Sequence, residues 1–395
     1  MRYAEITDRL AELGGAKWAV HARARAMAAL GRDIIELTIG EPDVPTPAAL
    51  IDTAVAAMTA GRTGYSNGRG EPALTQALAA RYTVRRGRSI SADQVMCFPG
   101  TQTALFAVLT ALAGGGDEVL VGDPMYATYA GLIAASGATM VPVPLRAEHG
   151  FRMQAADVAA RVTQRSRVLF LNTPHNPTGA VLARADLAAL AQIAVARDLW
   201  ILCDEVYEDM VFDGTHFASP LDDPAVAERV IVASSISKSH AAPGFRSGWC
   251  IGPAEFCTAL LPLSETILFG SQPFIADMTA AAVAAPSPVA AGMAVRFKRR
   301  AGLISDLLGG KAGLRVNAPA AGMFALVDIS ATGLSGEAFA HGLLDAQDVA
   351  VMPGESFGEA LAGWLRLSLT QEDDRIAEAC ARILTHARNL QDIAA

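Results

Sequence analysis

The stretch "RVLFLNTP" (Arg167–Pro174), continued by "RADLAALAQIAVARD" (Arg184–Asp198) and "LWILCDEVY" (Leu199–Tyr207), decides the fold. Its outer pieces carry the apolar runs "VLFLN" and "WILCD" without polar alternation, as expected of strands that helices cover on both faces. The piece between them is rich in alanine and leucine and long enough for a helix. Strand, helix and strand in that order predict a parallel pair joined by a crossover.

Outward from this unit the same alternation continues. "QVMCFPG", "TQTALFAVLTALA", "DEVLVGD", "MYATYAGLIAASG" and "ATMVPVPL" precede it, and "RVIVASSIS" follows. The pattern predicts an α/β fold with a mainly parallel central sheet. After about Pro286 it gives way to a helical stretch, "AGMAVRFKRRAGLISDLL", and then to "GMFALVDIS" and "WLRLSLT" as strands, which predicts a smaller α+β domain. The expected division is an N-terminal segment, 1–45, that accompanies the small domain, a large domain over 46–285 and a small C-terminal domain over 286–395. No internal repeat, low-complexity tail or flexible linker is visible.

Composition narrows the function. The 395 residues are 52% hydrophobic, enough for large cores. A formal charge of −8 without a basic run gives no support to nucleic acid or anionic lipid as a partner. A small metabolite is the expected partner. Two stretches that lack charge, Gln94–Gly116 and Met278–Val295, are interrupted by proline and are expected as buried strand and helix pieces rather than membrane spans. The five cysteines form no CxxC pair, and the N-terminus has no apolar signal core, so the expected location is cytoplasmic.

In a parallel sheet, ligands sit beyond the carboxyl ends of the strands. Here Gly100-Thr101-Gln102 follows "VMCFP" and opens a helix suited to a phosphate. Asn176 follows "VLFLN"; Asp204 and Tyr207 follow "WILC"; Ser235, Ser237, Lys238 and Arg246 follow "VIVA". The chain has only four lysines, and Lys238 stands alone between Lys17 and Lys298. A lysine can lose its proton, as an arginine cannot. No GxGxxG and no GxxxxGK[ST] occurs, which counts against dinucleotides and nucleoside triphosphates. A phosphate cradle, a carboxylate, an amide, a phenol and a lysine are together what pyridoxal 5′-phosphate requires. No histidine spacing suggests a metal.

These motifs, with "IGEPD" (Ile39–Asp43), "GYSNGRG" (Gly64–Gly70), "DPMYATY" (Asp123–Tyr129), "SISKSHAAPGFRSGW", "MPGESFG" (Met352–Gly358) and "LRLSL" (Leu365–Leu369), run nearly end to end. In that order the chain resembles the class I/II aminotransferases of pyridoxal phosphate fold type I. The resemblance implies that Lys238 holds the cofactor covalently and then moves a proton. It further implies that Asp204 pairs with the pyridine nitrogen, Tyr126 stacks on the ring, and Asn176 and Tyr207 bond its phenolic oxygen. Phosphate would meet Thr101, Gln102, Ser235 and Arg246, with Tyr65 reaching it from the other subunit of a homodimer, and Gly100 and Ser237 would also bind the cofactor. Arg366 would grip the substrate's α-carboxylate, helped by Asn176 and the Gly40 backbone.

The resemblance is strongest to the arginine:pyruvate group, with aspartate and aromatic aminotransferases next. A guanidinium side chain would want an acidic partner, for which Glu41, Glu5 and Asp8 are candidates. A C–S β-lyase on the same fold is a rival reading. A cofactor-sensing regulator is a weaker one, because the match begins almost at residue 1. His175 and His240 read as structural or specificity residues, Trp249 as core or interface, Cys203 as buried packing, and Glu205 as structural because it should face away from Asp204 along its strand.

Overall fold

The computed structural model describes residues 2–11, 13 and 16–394. Twelve strands are found among them: β1 (Ile35–Leu37), β2 (Val95–Phe98), β3 (Glu118–Asp123), β4 (Thr139–Pro144), β5 (Ser166–Asn172), β6 (Trp200–Asp204), β7 (Val230–Ser235), β8 (Gly248–Ile251), β9 (Arg315–Asn317), β10 (Phe324–Asp328), β11 (Val349–Pro353) and β12 (Trp364–Ser368). They form a seven-stranded sheet in the order β2-β8-β7-β6-β5-β3-β4 and a five-stranded sheet in the order β1-β11-β12-β10-β9.

In the larger sheet β4, β3, β5, β6 and β7 pair in parallel. β8 runs antiparallel to both of its neighbours, β7 and β2, so β2 points the same way as the parallel set. The expectation of a mainly parallel sheet holds, with β8 as the reversed strand. Both faces are covered, as the apolar runs require. Leu169 and Leu171 of β5 pack into one apolar cluster with Ile201 and Cys203, while Val168 and Phe170 pack into another with Leu202 and Ile231. Alternate residues therefore enter opposite cores.

β11 is an apolar strand of five residues between the Gly336–Gln347 helix and a short turn, and only its pairing reveals it. β1, from the N-terminal segment, pairs in parallel with β11, so the chain's beginning completes the sheet built by its end. A third apolar cluster fills the space between this sheet and the Pro288–Leu308 helix, with Phe297, Ile304, Phe339 and Leu367 fully buried. That helix starts where Ser287 Oγ accepts from Ala290 N at 3.2 Å, with proline in the first turn.

The Pro273–Val283 and Pro288–Leu308 helices meet at 67°. Among the described residues no single helix is long and apolar enough to cross a membrane.

Candidate active site

Because β2, β3, β5, β6 and β7 point the same way, their carboxyl ends share one edge of the sheet. There they surround a cavity of about 240 Å³. Its wall includes Gly40, Thr101, Gln102, Tyr126, Asn176, Asp204, Tyr207, Ser235, Ser237, Lys238, Arg246 and Arg366. Gly100 adjoins the wall. Tyr65 does not line it: this side chain is 92% exposed and sits edge-on to Phe269, with ring centres 5.1 Å apart.

The wall also holds residues that strand-end reading missed, namely Trp18, Ile39, Leu105, Tyr129, Asn172, Val206, Pro243 and Phe324. Asn172 carried a usable signal, being the polar last residue of an otherwise apolar strand. Its Nδ2 donates to Asp204 O at 3.0 Å, and its Oδ1 accepts from Asn176 N at 2.9 Å. It thereby ties together the two loops that bear Asp204 and Asn176.

Lys238 lies in the short helix Ile236–Ser239, which Ser235 caps by accepting from Ser237 N at 3.3 Å. Its Nζ donates to Gly40 O at 2.6 Å. Burial pushes this amine down to about 8, against a smaller opposing pull from Glu41, and the positive charges of Arg366 and Arg246 push it the same way as burial. A neutral amine is thus within reach near physiological pH.

Asp204 is buried, and burial pushes its carboxyl up to about 6, while hydrogen bonds from Tyr129 and the Val206 N–H oppose the shift. Tyr129 Oη donates to Oδ2 at 2.7 Å and Val206 N to Oδ1 at 3.0 Å. No cation of the described chain pairs with it.

Arg366 is also buried without a counter-ion among the described residues. Its guanidinium lies between Phe324 and Phe357, 3.8 and 4.3 Å from their ring centres. It donates to Asn176 Oδ1 at 3.1 Å and to Thr38 O at 2.5 Å, and its Nε has no partner. Burial lowers its pKa to about 10. A buried cation held flat with unused donors suits a carboxylate from outside the chain.

The opposite wall suits a phosphate. The Thr101–Leu112 helix begins there with unbonded N–H groups, and Thr101 Oγ1 is buried with no partner. Gly100, at φ +89°, has no Cβ, which would lie 2.5 Å from an Arg246 guanidinium nitrogen. A Cβ on Gly248 would lie 2.7 Å from Thr101 N. Both glycines keep the cradle open. An orphaned hydroxyl, an N-terminal turn and Arg246 at one end, an unpaired carboxylate in the wall, and a titratable lysine together fit pyridoxal phosphate.

The residues read as structural lie outside this wall. Glu205 is buried and paired with Arg86 at 2.9 Å. His175 bonds Thr178 Oγ1 at 2.8 Å and is pushed down to about 4 by burial. His240 Nε2 meets Ala282 O at 2.9 Å, and Trp249 Nε1 donates to Tyr82 Oη at 3.0 Å. Glu5 and Asp8 are exposed on the Glu5–Ala11 helix and do not line the cavity. Among the described residues no cluster could hold a metal ion.

The family model for aminotransferases of class I and II matches residues 32–383. An arginine–pyruvate transaminase of Pseudomonas aeruginosa is 45% identical over 390 residues, covering 99% of each chain. An aspartate/prephenate aminotransferase of Cereibacter sphaeroides is 32% identical, over 92% of this chain and 94% of that one. Among solved structures, an aspartate aminotransferase from Thermus thermophilus with maleate superposes with a TM-score of 0.90 at 30% identity, covering 98% of this chain and 100% of the other. One from Rhizobium meliloti gives 0.93 at 27% identity, covering 98% and 99%.

Proposed function

Because this chain belongs to the class I and II aminotransferases and is a pyridoxal phosphate-dependent transaminase, we propose that its amino donor is L-arginine and its acceptor pyruvate. The observation that carries the chemistry is Lys238, a half-buried lysine whose amine has a lowered pKa, sharing one cavity with two unpaired charges, Asp204 and Arg366. The donor rests on the 45% identity to the Pseudomonas enzyme.

Bound pyridoxal phosphate would supply an aldehyde carbon that can take up the amino group and an electron-withdrawing ring that favours loss of the substrate's Cα proton. Thr101, Gln102, Ser235, Ser237, Arg246 and the Gly100 turn would hold its phosphate. Asp204 would hold its ring nitrogen, Asn176 and Tyr207 its phenolic oxygen, Tyr126 its ring face, and Lys238 its aldehyde. Arg366, with Asn176 and the Gly40 backbone, fixes the substrate's carboxylate, which orients the Cα–H bond towards Lys238 Nζ. As a free amine, Lys238 would take that proton from Cα and pass it to the cofactor's former aldehyde carbon, and in the second half-reaction it would move a proton the opposite way, onto the oxo acid's carbon. Trp18 and Phe324 shield the reacting centre from water.

The division of the chain into segment 1–45, a cofactor-binding unit 46–285 and a C-terminal unit 286–395 belongs to the same reading; β1 pairing with β11 supports it. So does a homodimer in which Tyr65 reaches the other subunit's phosphate. Tyr65 and Phe269 are exposed, and the Ala48–Thr59 helix exposes Ile51, Val55 and Met58. All five cysteines are free and buried, which suits a reducing compartment such as the cytoplasm.

The test is a half-reaction. Protein loaded with pyridoxal phosphate is mixed with single amino acids, L-arginine first, and loss of the aldehyde-form absorbance is followed. Loss with arginine that pyruvate reverses supports the proposal. Loss only with aspartate, alanine or an aromatic donor overturns the substrate. Ammonia release from a sulfur amino acid without an acceptor points to a lyase.

A further inference from the structure

The cavity wall contains three cations, Lys238, Arg246 and Arg366. The chemistry above engages all three, with amine, phosphate and α-carboxylate respectively. None is left among the described residues of this chain to receive a second carboxylate on the substrate's side chain. What the N-terminal segment contributes to the wall instead is Trp18, Ile39 and Gly40.

Trp18 is fixed in place by its neighbour. Lys17 Nζ donates to Ala127 O at 3.2 Å, and Ser356 Oγ donates to Lys17 O at 3.0 Å. The Lys17 ammonium is therefore engaged outside this cavity, while the indole forms part of its wall. The hydrogen bond between Lys238 Nζ and Gly40 O anchors the backbone one residue before Glu41. Glu41 is exposed, forms no ion pair among the described residues, and lies close enough for its charge to act on Lys238.

A guanidinium is planar and weakly hydrated, stacks on aromatic faces, and pairs with carboxylates through two donors. We infer that Trp18 and Glu41 form the side-chain subsite of this cavity and that it takes a guanidinium, Trp18 by its ring face and Glu41 by its carboxylate. This rests on the arginine reading above and names the residues that would enforce it.

The test compares kcat/KM for L-arginine and L-alanine in the wild-type holoenzyme, Glu41→Gln and Trp18→Leu. It also compares inhibition by 5-guanidinopentanoate, which lacks the reacting amine, with that by hexanoate, whose chain end carries no charge. Each substitution is expected to lower the arginine-to-alanine ratio by about three- to tenfold. The preference for the guanidino acid over hexanoate should shrink in parallel. Glu41 is exposed, so its replacement does not threaten folding. If the wild type converts arginine but both variants keep both ratios, the inference is overturned and the proposed donor stands. If the wild type converts alanine and not arginine, the donor and the subsite are overturned together.

Discussion

Tyr129 Oη donates a 2.7 Å hydrogen bond to Oδ2 of Asp204, and both groups are buried. Tyr129 is itself held against Phe170, with ring centres 4.4 Å apart, and edge-on to Tyr126 at 5.6 Å. The phenol thus favours the ionised carboxylate against the desolvation that drives it towards protonation. In the proposed reading it would act on the cofactor through Asp204, as a positioning residue.

Tyr129→Phe removes this bond and leaves the ring in place. A hydrogen bond to a charged group contributes about 2 kcal/mol, so affinity for pyridoxal phosphate is expected to fall roughly 30-fold. In the apoprotein the Asp204 carboxyl should titrate above its wild-type value of about 6. Carbon NMR of labelled aspartate, following Asp204 through pH 4 to 8, checks the direction. An unchanged titration would remove the tyrosine from this role.

Asp204 also makes a stability prediction for the apoprotein. Its folded pKa, about 6, lies above the ordinary carboxylate value, so the folded state binds the proton more tightly than the unfolded chain. The contribution is favourable below about pH 4 and is lost as pH rises through 6. Two units correspond to about 3 kcal/mol. Asp204→Asn should therefore raise the apoprotein's melting temperature at pH 8 while abolishing transamination, as measured by thermal unfolding and the half-reaction. A variant less stable than wild type at pH 8 would contradict the buried-charge account.

The lysine can be tested by pH and by substitution. Only the free amine attacks an aldehyde, so capture of pyridoxal phosphate by the apoprotein should accelerate as pH rises through about 8. Lys238→Arg should fold and yet neither retain the cofactor covalently nor turn over, since a guanidinium stays protonated. Mass spectrometry after borohydride reduction reads the first effect, and the half-reaction reads the second.

Why some of this was legible in the sequence and some was not follows from where each residue sits. Lys238, Asp204 and Asn176 follow apolar runs that can only be buried strands, and ends of parallel strands converge. Phe324 and Phe357 could not be found in that way, because they meet around Arg366 from different parts of the chain. Tyr129 lies inside a quoted motif, but its bond to Asp204 joins β6 to a helix that starts beyond β3. The direction of β8 was hidden for a similar reason: "GWCI" reads the same in either sense, and only its pairing with β2 and β7 settles it. Trp18 lies far from any strand end and reaches the wall through the anchoring of Lys17.

Arg366 is expected to tolerate no conservative exchange. Lysine would lose the planar fork, the stacking between Phe324 and Phe357, and one of the bonds to Asn176 or Thr38. Loss of a buried bidentate carboxylate contact is worth about 3 kcal/mol, so Arg366→Lys should weaken every amino donor by roughly 100-fold in kcat/KM, whatever its side chain. Cofactor affinity, read by equilibrium titration, should change little by comparison. A donor-dependent loss would place Arg366 in side-chain recognition instead.

The proposed shared site makes a prediction that single-chain defects cannot imitate. If Tyr65 completes the phosphate cradle of the opposite subunit, Lys238→Ala and Tyr65→Ala proteins fail at different halves of the same dimer. Mixed and allowed to exchange subunits, they form heterodimers. In each heterodimer one site carries both lesions, and the other joins an intact Lys238 to an intact Tyr65. Random pairing makes half the dimers mixed, so activity should recover to about a quarter of wild type. Each parent alone should remain far below that level, and the recovery should appear on the timescale of subunit exchange. If Tyr65 served its own subunit, each heterodimer would hold one defective site of each kind, and the mixture would show no gain over its parents. The exposure of Tyr65, 92% in the single chain, and its absence from its own cavity wall lead us to expect the recovery.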